Sequence, residues 1–469
     1  MMELENYHAF HFVGLGGVGM CALARILIEK GITVSGSDVS DSAVLQELRN
    51  KGAAVFIGHK RENINNADVL VVSSAIDMDN PELQEAKSRD LPIFHRSDVL
   101  AAIFKWGKGI AVAGAHGKST TSAMIGQIFH VAKMDPTIVL GGFTDYLKGN
   151  SCLGHGEHII AEADESDGSF LKFATFLSVV TNIEDDHLDH YGTVENIRKA
   201  FVEFLNHVTY KDGGAIVCID SEGVQAILPQ IKKKVISFGI NDSAEYRAVN
   251  KRYEKQNMLF DVYHYKEKLG TVSLQIPGIH NVRDALGAIV VALYCGISFE
   301  TSVKALSVFS GVKRRFQTKM KEHGVWIVDD YAHHPTEIAA TLKAAKEMGR
   351  HRVICAFQPH RYSRTKLLQE EFSEAFIDAD VLFFTDIYAA GESPIQGIDG
   401  TLIPNLVKRR FPDKPINYVK NVEDLPKELY KVIKPDDMLI TMGAGNIYMA
   451  GEMLANLMKG KGLSSDYKK

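Results

Sequence analysis

Long hydrophobic runs are missing from this 469-residue chain. No stretch approaches the ~20 apolar residues that span a bilayer. The longest apolar run, Ala288 to Cys295, reads as a buried helix. Cysteine is scarce and scattered, at Cys21, Cys152, Cys218, Cys295 and Cys355, with no CxxC pair. An odd, dispersed set argues against a disulfide framework and a zinc site, and fits buried thiols in a reducing cytosol. Neither sign of charge dominates: 53 Lys+Arg stand against 58 Asp+Glu, a net charge of -5. A mildly acidic chain is not built to wrap nucleic acid over a broad surface. Met1 to Phe10 has no basic segment followed by an apolar one, so no secretory signal is expected. Repeats and low-complexity tracts are also absent. The composition that remains, 45% hydrophobic and 24% charged, is that of an ordinary globular protein. The length suggests about three domains.

Strand, loop and helix alternate along the chain. Apolar segments at His8–Val13, Ile32–Gly36, Ala53–Ile57 and Val69–Ser73 read as strands, with a helix over Gly19–Lys30. A second unit opens near Trp106. Its strands are expected at Gly109–Ala113, His158–Ala161, Leu177–Asn182 and Gly214–Cys218, with helices at Thr120–Ala132 and Val282–Cys295 and an antiparallel stretch from Tyr246 to Leu274. Gly311–Phe316, reading GVKRRF, looks like a linker. Beyond it lie strands Val325–Asp329, Arg352–Phe357, Val381–Thr385 and Met438–Met442, with a helix over Thr336–Met348. The polar end, Ser464–Lys469, is expected to fray. The class is α/β with mainly parallel sheets in three domains, expected at 1–105, 106–312 and 313–469.

Two glycine loops follow strands. Gly14, Gly16 and Gly19 spell G-x-G-x-x-G, and Asp38 ends the next strand. This pattern brings backbone amides to a diphosphate at a helix N-terminus, with an acid for a ribose hydroxyl. Any ligand with a diphosphate and a ribose satisfies it, NAD and FAD included. The second loop, Gly114-Ala115-His116-Gly117-Lys118-Ser119-Thr120, ends in G-K-S-T. It is shorter than the full Walker pattern, but its amides can cradle phosphates, Lys118 can neutralise them and Ser119 can hold Mg²⁺. Carboxylates follow at the next strand ends: Glu162, Asp164, Glu165 and Asp167, then Glu184, Asp185, Asp186 and Asp189 among Asn182, His187 and His190. Hard cations take such oxygen ligands. In the last third, Asp329-Asp330-Tyr331-Ala332-His333-His334 and Gln358-Pro359-His360-Arg361-Tyr362-Ser363-Arg364 also lie at strand ends, where paired arginines can bind a carboxylate or phosphate.

Together these motifs resemble the Mur ligase family, ATP-dependent amide-forming enzymes of peptidoglycan precursor synthesis, over the whole chain. The likeness is carried by GLGGVGM (14–20), SSAI (73–76), GAHGKST (114–120), EADESDGSF (162–170), NIEDDHLDHY (182–191), GIHNVRDALGA (278–288), GVKRRFQ (311–317), DDYAHHPTE (329–337) and FQPHRYSRT (357–365). The resemblance implies a UDP-binding Rossmann-like domain, a central P-loop ATPase domain and a C-terminal Rossmann-like domain. It places Gly14, Gly16, Gly17, Val18, Gly19, Asp38, Ser73 and Ser74 at a UDP-sugar. It places the loop from Gly114 to Thr120, with Asn182, His280, Asn281, Arg315 and Asp330, around ATP. Lys118, Glu162, His187 and Arg315 become the catalytic set. Ser119, Glu162 and His187 become ligands to Mg²⁺, with two ions expected. Tyr331, His333, His360, Arg361 and Arg364 face the amino acid.

Within the family, EADESD and the spacing of DDHLDHY sit closer to the branch that adds free L-alanine to UDP-N-acetylmuramate than to the branch that adds a preformed peptide. The implied partners are that sugar nucleotide, L-alanine and ATP, with no nucleic acid and no membrane, in a cytoplasmic monomer or homodimer. An NAD-dependent oxidoreductase would explain only the first loop, and a non-catalytic nucleotide-binding regulator would not need the metal ligands. Three positions depart from the family pattern: Ala115 for a threonine, Ala332 for a glycine and Asp284 for an asparagine.

Overall fold

The computed structural model describes residues 2–185, 188–322, 324–349 and 352–460. His187, expected to hold metal, and the polar end at 464–469 lie outside the described residues.

Three sheets follow one another along the chain. The first holds β1 (Ala9–Val13), β2 (Thr33–Asp38), β3 (Ala54–Ile57), β4 (Val69–Val72) and β5 (Ile93–His95) in the order β3-β2-β1-β4-β5, all parallel. Its central strands are buried, as expected of a sheet covered on both faces. The order reverses between β1 and its two neighbours, which opens a crevice at their C-terminal ends.

The second sheet holds β6 (Lys108–Ala113), β7 (Thr137–Thr144), β8 (Gly149–Cys152), β9 (His158–Glu162), β10 (Leu177–Val180), β11 (Gly214–Cys218), β12 (Val235–Gly239), β13 (Tyr246–Glu254), β14 (Asn257–His264) and β15 (Glu267–Leu274). Their order is β15-β14-β13-β12-β11-β10-β6-β9-β7-β8. The strands from β7 through β12 along this order, β8 aside, pair in parallel. β8 pairs antiparallel with β7. The two-residue connections between β13, β14 and β15 turn through left-handed Lys255 and Tyr265, and such short links demand antiparallel neighbours. The expected antiparallel stretch is therefore this three-stranded flank. Ile279–Tyr294 is one helix, starting three residues before the expected Val282.

The third sheet holds β16 (Gln317–Glu322), β17 (Val325–Asp330), β18 (Arg352–Phe357), β19 (Val381–Phe384), β20 (Ile416–Tyr418) and β21 (Asp437–Met442), ordered β16-β17-β21-β18-β19-β20. All its pairings are parallel except that of the edge strand β16. Gly311–Phe316 is irregular, as expected of a linker.

The chain gathers into two compact units. One comprises 1–251, 259–273 and 282–310; the other comprises 252–258, 274–281 and 311–469. Apart from the ends of β13, β14 and β15 that fall in 252–258 and 274, the first two sheets thus lie inside one unit. Buried Arg25, on the helix Val18–Glu29, bonds Glu47 at 2.9 Å, Asn150 at 2.7 Å and Ser151 at 3.1 Å. Asn150 in turn donates to the carbonyl of Val18 at 2.8 Å. A β8 side chain therefore holds the start of the helix that follows the first glycine loop.

Candidate active site

The first glycine loop turns straight out of β1. Its amides at Gly14 and Leu15 donate to the Ser37 carbonyl at 2.8 and 2.9 Å, and Gly16 N–H donates to Asp38 Oδ2 at 2.9 Å. Gly17 caps the helix that contains Val18 and Gly19. Ser73 and Ser74 follow β4, the other neighbour of β1. The expected UDP-sugar residues thus share the C-terminal edge of β2, β1 and β4, where a helix N-terminus favours anions.

The second loop leaves β6, which lies between β10 and β9. Three adjacent parallel strands therefore deliver the loop, Asn182 and Glu162 to one edge. Gly117 adopts φ +83°, and a Cβ there would lie 2.4 Å from Asp284 Oδ1. Only glycine fits both the left-handed backbone and that close approach. Asp284 also accepts the Thr121 hydroxyl at 3.1 Å, so the departure from the family pattern stands directly behind the loop. Asn182 braces the loop by accepting His116 N–H and donating to the His116 carbonyl, both at 2.9 Å. Ala115 contributes backbone, with its carbonyl 3.3 Å from Lys118 Nζ. Thr120 is buried in the helix that follows.

Each carboxylate of the acidic loop has its own task. Glu162 Oε2 accepts the Ser119 hydroxyl at 2.7 Å and the Gly141 N–H at 3.1 Å. A Cβ on Gly141 would come within 2.2 Å of that oxygen, so β7 must stay bare at this position for Glu162 to lie beside Ser119. Buried Glu165 pairs with Lys118 Nζ at 2.7 Å. Burial opposes charge on Lys118, but Glu165 and Glu162 outweigh it and hold its pKa above the ordinary lysine value. Asp164 takes Arg96 at 2.5 Å, and Asp167 accepts the Ser169 N–H at 3.0 Å. Ser119 and Glu162 supply the hard oxygen donors that Mg²⁺ prefers, so the residues present fit that ion.

The remaining expected residues belong to the second unit. Asn281 is buried and donates to the Pro277 carbonyl, with His280 Nε2 at 3.1 Å from its amide nitrogen. Arg315 bonds Glu337 at 3.3 Å. Asp330 is buried and its carboxylate accepts Phe316 N–H at 2.9 Å and Ala332 N–H at 2.7 Å. Burial raises its pKa to about 6 against those bonds and Arg315. The alanine at 332 therefore still gives its N–H to this carboxylate.

β17 and β18 flank β21, and their ends bring Tyr331, His333, His360 and Arg364 together. The His333 ring lies 5.4 Å from Tyr331 and 5.9 Å from His360. His360 stacks on Tyr388 at 5.7 Å, and Arg364 lies 3.3 Å from its Nδ1. Burial pushes both histidines down to about 4, so they are neutral near pH 7. Arg361 caps the next helix with an exposed side chain.

Sequence reading missed Arg96, Asn150, Gly141 and Tyr388. Gly141-Gly142 after an apolar run was the only local signal among them, since a close backbone approach needs glycine.

Comparison with known proteins matches the three stretches separately. Residues 9–106 match the family model described as Mur ligase family, catalytic domain; 112–292 match Mur ligase middle domain; 314–445 match Mur ligase, glutamate ligase domain. A UDP-N-acetylmuramate–L-alanine ligase from Geobacter sp. (strain M21) is 46% identical over 450 residues, 96% of this chain and 97% of that protein. The ligase of the same name from Geotalea uraniireducens (strain Rf4) is 45% identical over 451 residues, 96% of this chain and 98% of its own. Among solved structures, the UDP-N-acetylmuramate–alanine ligase of Thermotoga maritima matches with a TM-score of 0.83 at 27% identity, covering 96% of this chain and 99% of that one. A murein peptide ligase from Psychrobacter arcticus 273-4 shares the fold with a TM-score of 0.72 at 23% identity, covering 98% of this chain and 100% of that one.

Proposed function

The chain belongs to the Mur ligase family, and on that premise we propose that it joins L-alanine to the lactyl carboxylate of UDP-N-acetylmuramate, consuming ATP and releasing ADP and phosphate. One observation carries the reading. A loop lysine and a loop hydroxyl lie on two carboxylates of the neighbouring strand end, Lys118 on Glu165 and Ser119 on Glu162, in the same unit as a second phosphate-type loop. Two anion sites in one unit suit a reaction that brings a nucleoside triphosphate to a sugar nucleotide.

Amide formation from a free carboxylate is uphill in water, so the carboxylate must first be activated. The lactyl carboxylate oxygen attacks the γ-phosphorus of ATP, giving an acyl phosphate and ADP. The alanine amine then attacks the acyl carbon, and phosphate leaves. Lys118 and the amides of 114–119 bind and orient the phosphates, and Arg315 offsets charge as two anions meet. Ser119 and Glu162, with His187, would hold Mg²⁺, which when bound offsets further phosphate charge. Arg361 and Arg364 bind the amino-acid carboxylate, while neutral His333 and His360 shape the small pocket beside them. Gly14–Gly19, Asp38, Ser73 and Ser74 hold the uridine diphosphate.

Among the described residues, no helix is long and apolar enough to cross a membrane. The testing experiment is phosphate release from Mg²⁺-ATP with UDP-N-acetylmuramate, with and without L-alanine, beside an arm with a tripeptide. Release that needs both the sugar nucleotide and L-alanine is the expected result. Release only with the tripeptide moves the chain to the peptide-adding branch, and no release in any arm overturns the ligase reading.

A further inference from the structure

The turn that carries Arg315 is strained on both sides. Arg314 has φ +63° and Phe316 has φ +46°. Neither is glycine, and a left-handed aromatic is a true outlier that survives only where surroundings over-determine it. Those surroundings are visible. The Arg314 guanidinium lies between two rings, 4.9 Å from the centroid of Tyr331 and 4.7 Å from that of Tyr448. Its Nε donates to Asp329 Oδ2 at 3.1 Å and a terminal nitrogen donates to the Gly443 carbonyl at 2.7 Å. Fully buried Asp329 is fixed in turn by the Thr441 hydroxyl at 3.0 Å. The Arg314 carbonyl accepts Tyr331 N–H at 2.6 Å, and its N–H donates to Gln317 at 3.1 Å. On the other flank, Phe316 is buried against Trp326 and its N–H is taken by Asp330.

Both flanks of the turn are bolted down, while the Arg315 side chain remains one-third exposed. It shares a platform with its neighbour, since its guanidinium lies 5.4 Å from the same Tyr331 ring. We propose that Arg314 is a positioning residue: its clamp between Tyr331, Tyr448, Asp329 and Gly443 holds the strained turn that presents Arg315 to the reacting phosphates. Glycine at position 314 would adopt the backbone angle freely but would bring no clamp. The inference rests on the proposed role of Arg315.

The test uses the full chain with Arg314→Lys, which keeps a charge opposite Asp329 but lacks the planar fork. If that variant does not fold, Tyr448→Leu removes one face of the clamp in its place. Turnover, the KM for each substrate and the melting temperature are measured for this variant, for Arg315→Lys and for the pair. The expected result is a loss of about tenfold or more in kcat for each single variant. The KM for the sugar nucleotide should stay within about twofold, the melting temperature within a few degrees, and the pair should be no slower than Arg315→Lys alone. A folded Arg314→Lys with unchanged kcat overturns the inference. So do losses that multiply in the pair, because Arg314 would then act apart from Arg315. Unchanged kcat in Arg315→Lys and in Arg315→Ala would instead overturn the placement of Arg315 itself.

Discussion

Lys118 is a paired cation: its side chain is 15% exposed and that of its partner Glu165 is 4% exposed. Deleting the lysine leaves a buried carboxylate without its partner, which costs about 3–5 kcal/mol. Lys118→Ala is therefore expected to melt earlier and to lose turnover by about a hundredfold or more. Adding Glu165→Gln should restore the melting temperature but not the phosphate release; restored turnover would remove Lys118 from the phosphates. Glu162→Gln weakens the oxygen donor beside Ser119. It should raise the Mg²⁺ concentration for half-maximal rate by about tenfold, read from a metal titration of the rate. Residues of this kind were legible because their spacing is local: Lys118 and Ser119 close one loop, and Glu162 ends one strand. Arg96 was not, because its partner Asp164 is 68 positions away, and Arg25 and Asn150 are 125 apart. No window of sequence contains both members of such a pair.

At the scale of elements, buried parallel strands such as β6, β11, β18 and β21 read directly from short apolar runs. The β7–β8 pair did not, because Gly141-Gly142 interrupts its apolar run and Gly149-Asn150-Ser151 carries little apolar signal. Short edge strands such as β20, with exposed Asn417 and Tyr418, give no alternation to read. The ends of β17 and β18 carry a pH consequence. His333 and His360 titrate near 4 when folded against an ordinary 6.5. Between those values the unfolded chain binds more protons, so their stabilising contribution is complete above pH 6.5 and fades as pH falls toward 4. Asp330, raised from 3.8 to about 6, acts in the opposite sense, losing stability as pH rises through 6. The informative quantity is therefore a difference. Melting temperature should fall less between pH 6.5 and 4 in His360→Gln than in the unaltered protein; equal falls would show that His360 does not carry this dependence.

For the molecule as a whole, the sequence spoke of three α/β stretches, and three sheets are present. It could not say that the first two close into one unit, since buried polar joints such as Arg25 with Asn150 and Ser151 leave no periodic trace. Arg25→Ala should cost about 3 kcal/mol by leaving those acceptors unpaired. It should also raise the KM for the sugar nucleotide several-fold, because Asn150 holds Val18; a thermal melt and a substrate titration check the two effects. The second unit has another history. It takes two strips, 252–258 and 274–281, from the middle of the chain and completes itself only with 311–469. Tyr253 in one strip already bonds Gly278 in the other, and Gln256 bonds Lys321. During synthesis at about 5–20 residues per second, those strips leave the ribosome on the order of ten to forty seconds before the last of their partners exists. Met258, Leu274 and Ile276 in those strips are all buried in the finished protein. A nascent chain stalled near residue 311 is thus a candidate for chaperone capture, and a gene cut at that point would yield a C-terminal piece missing two strips of its own unit.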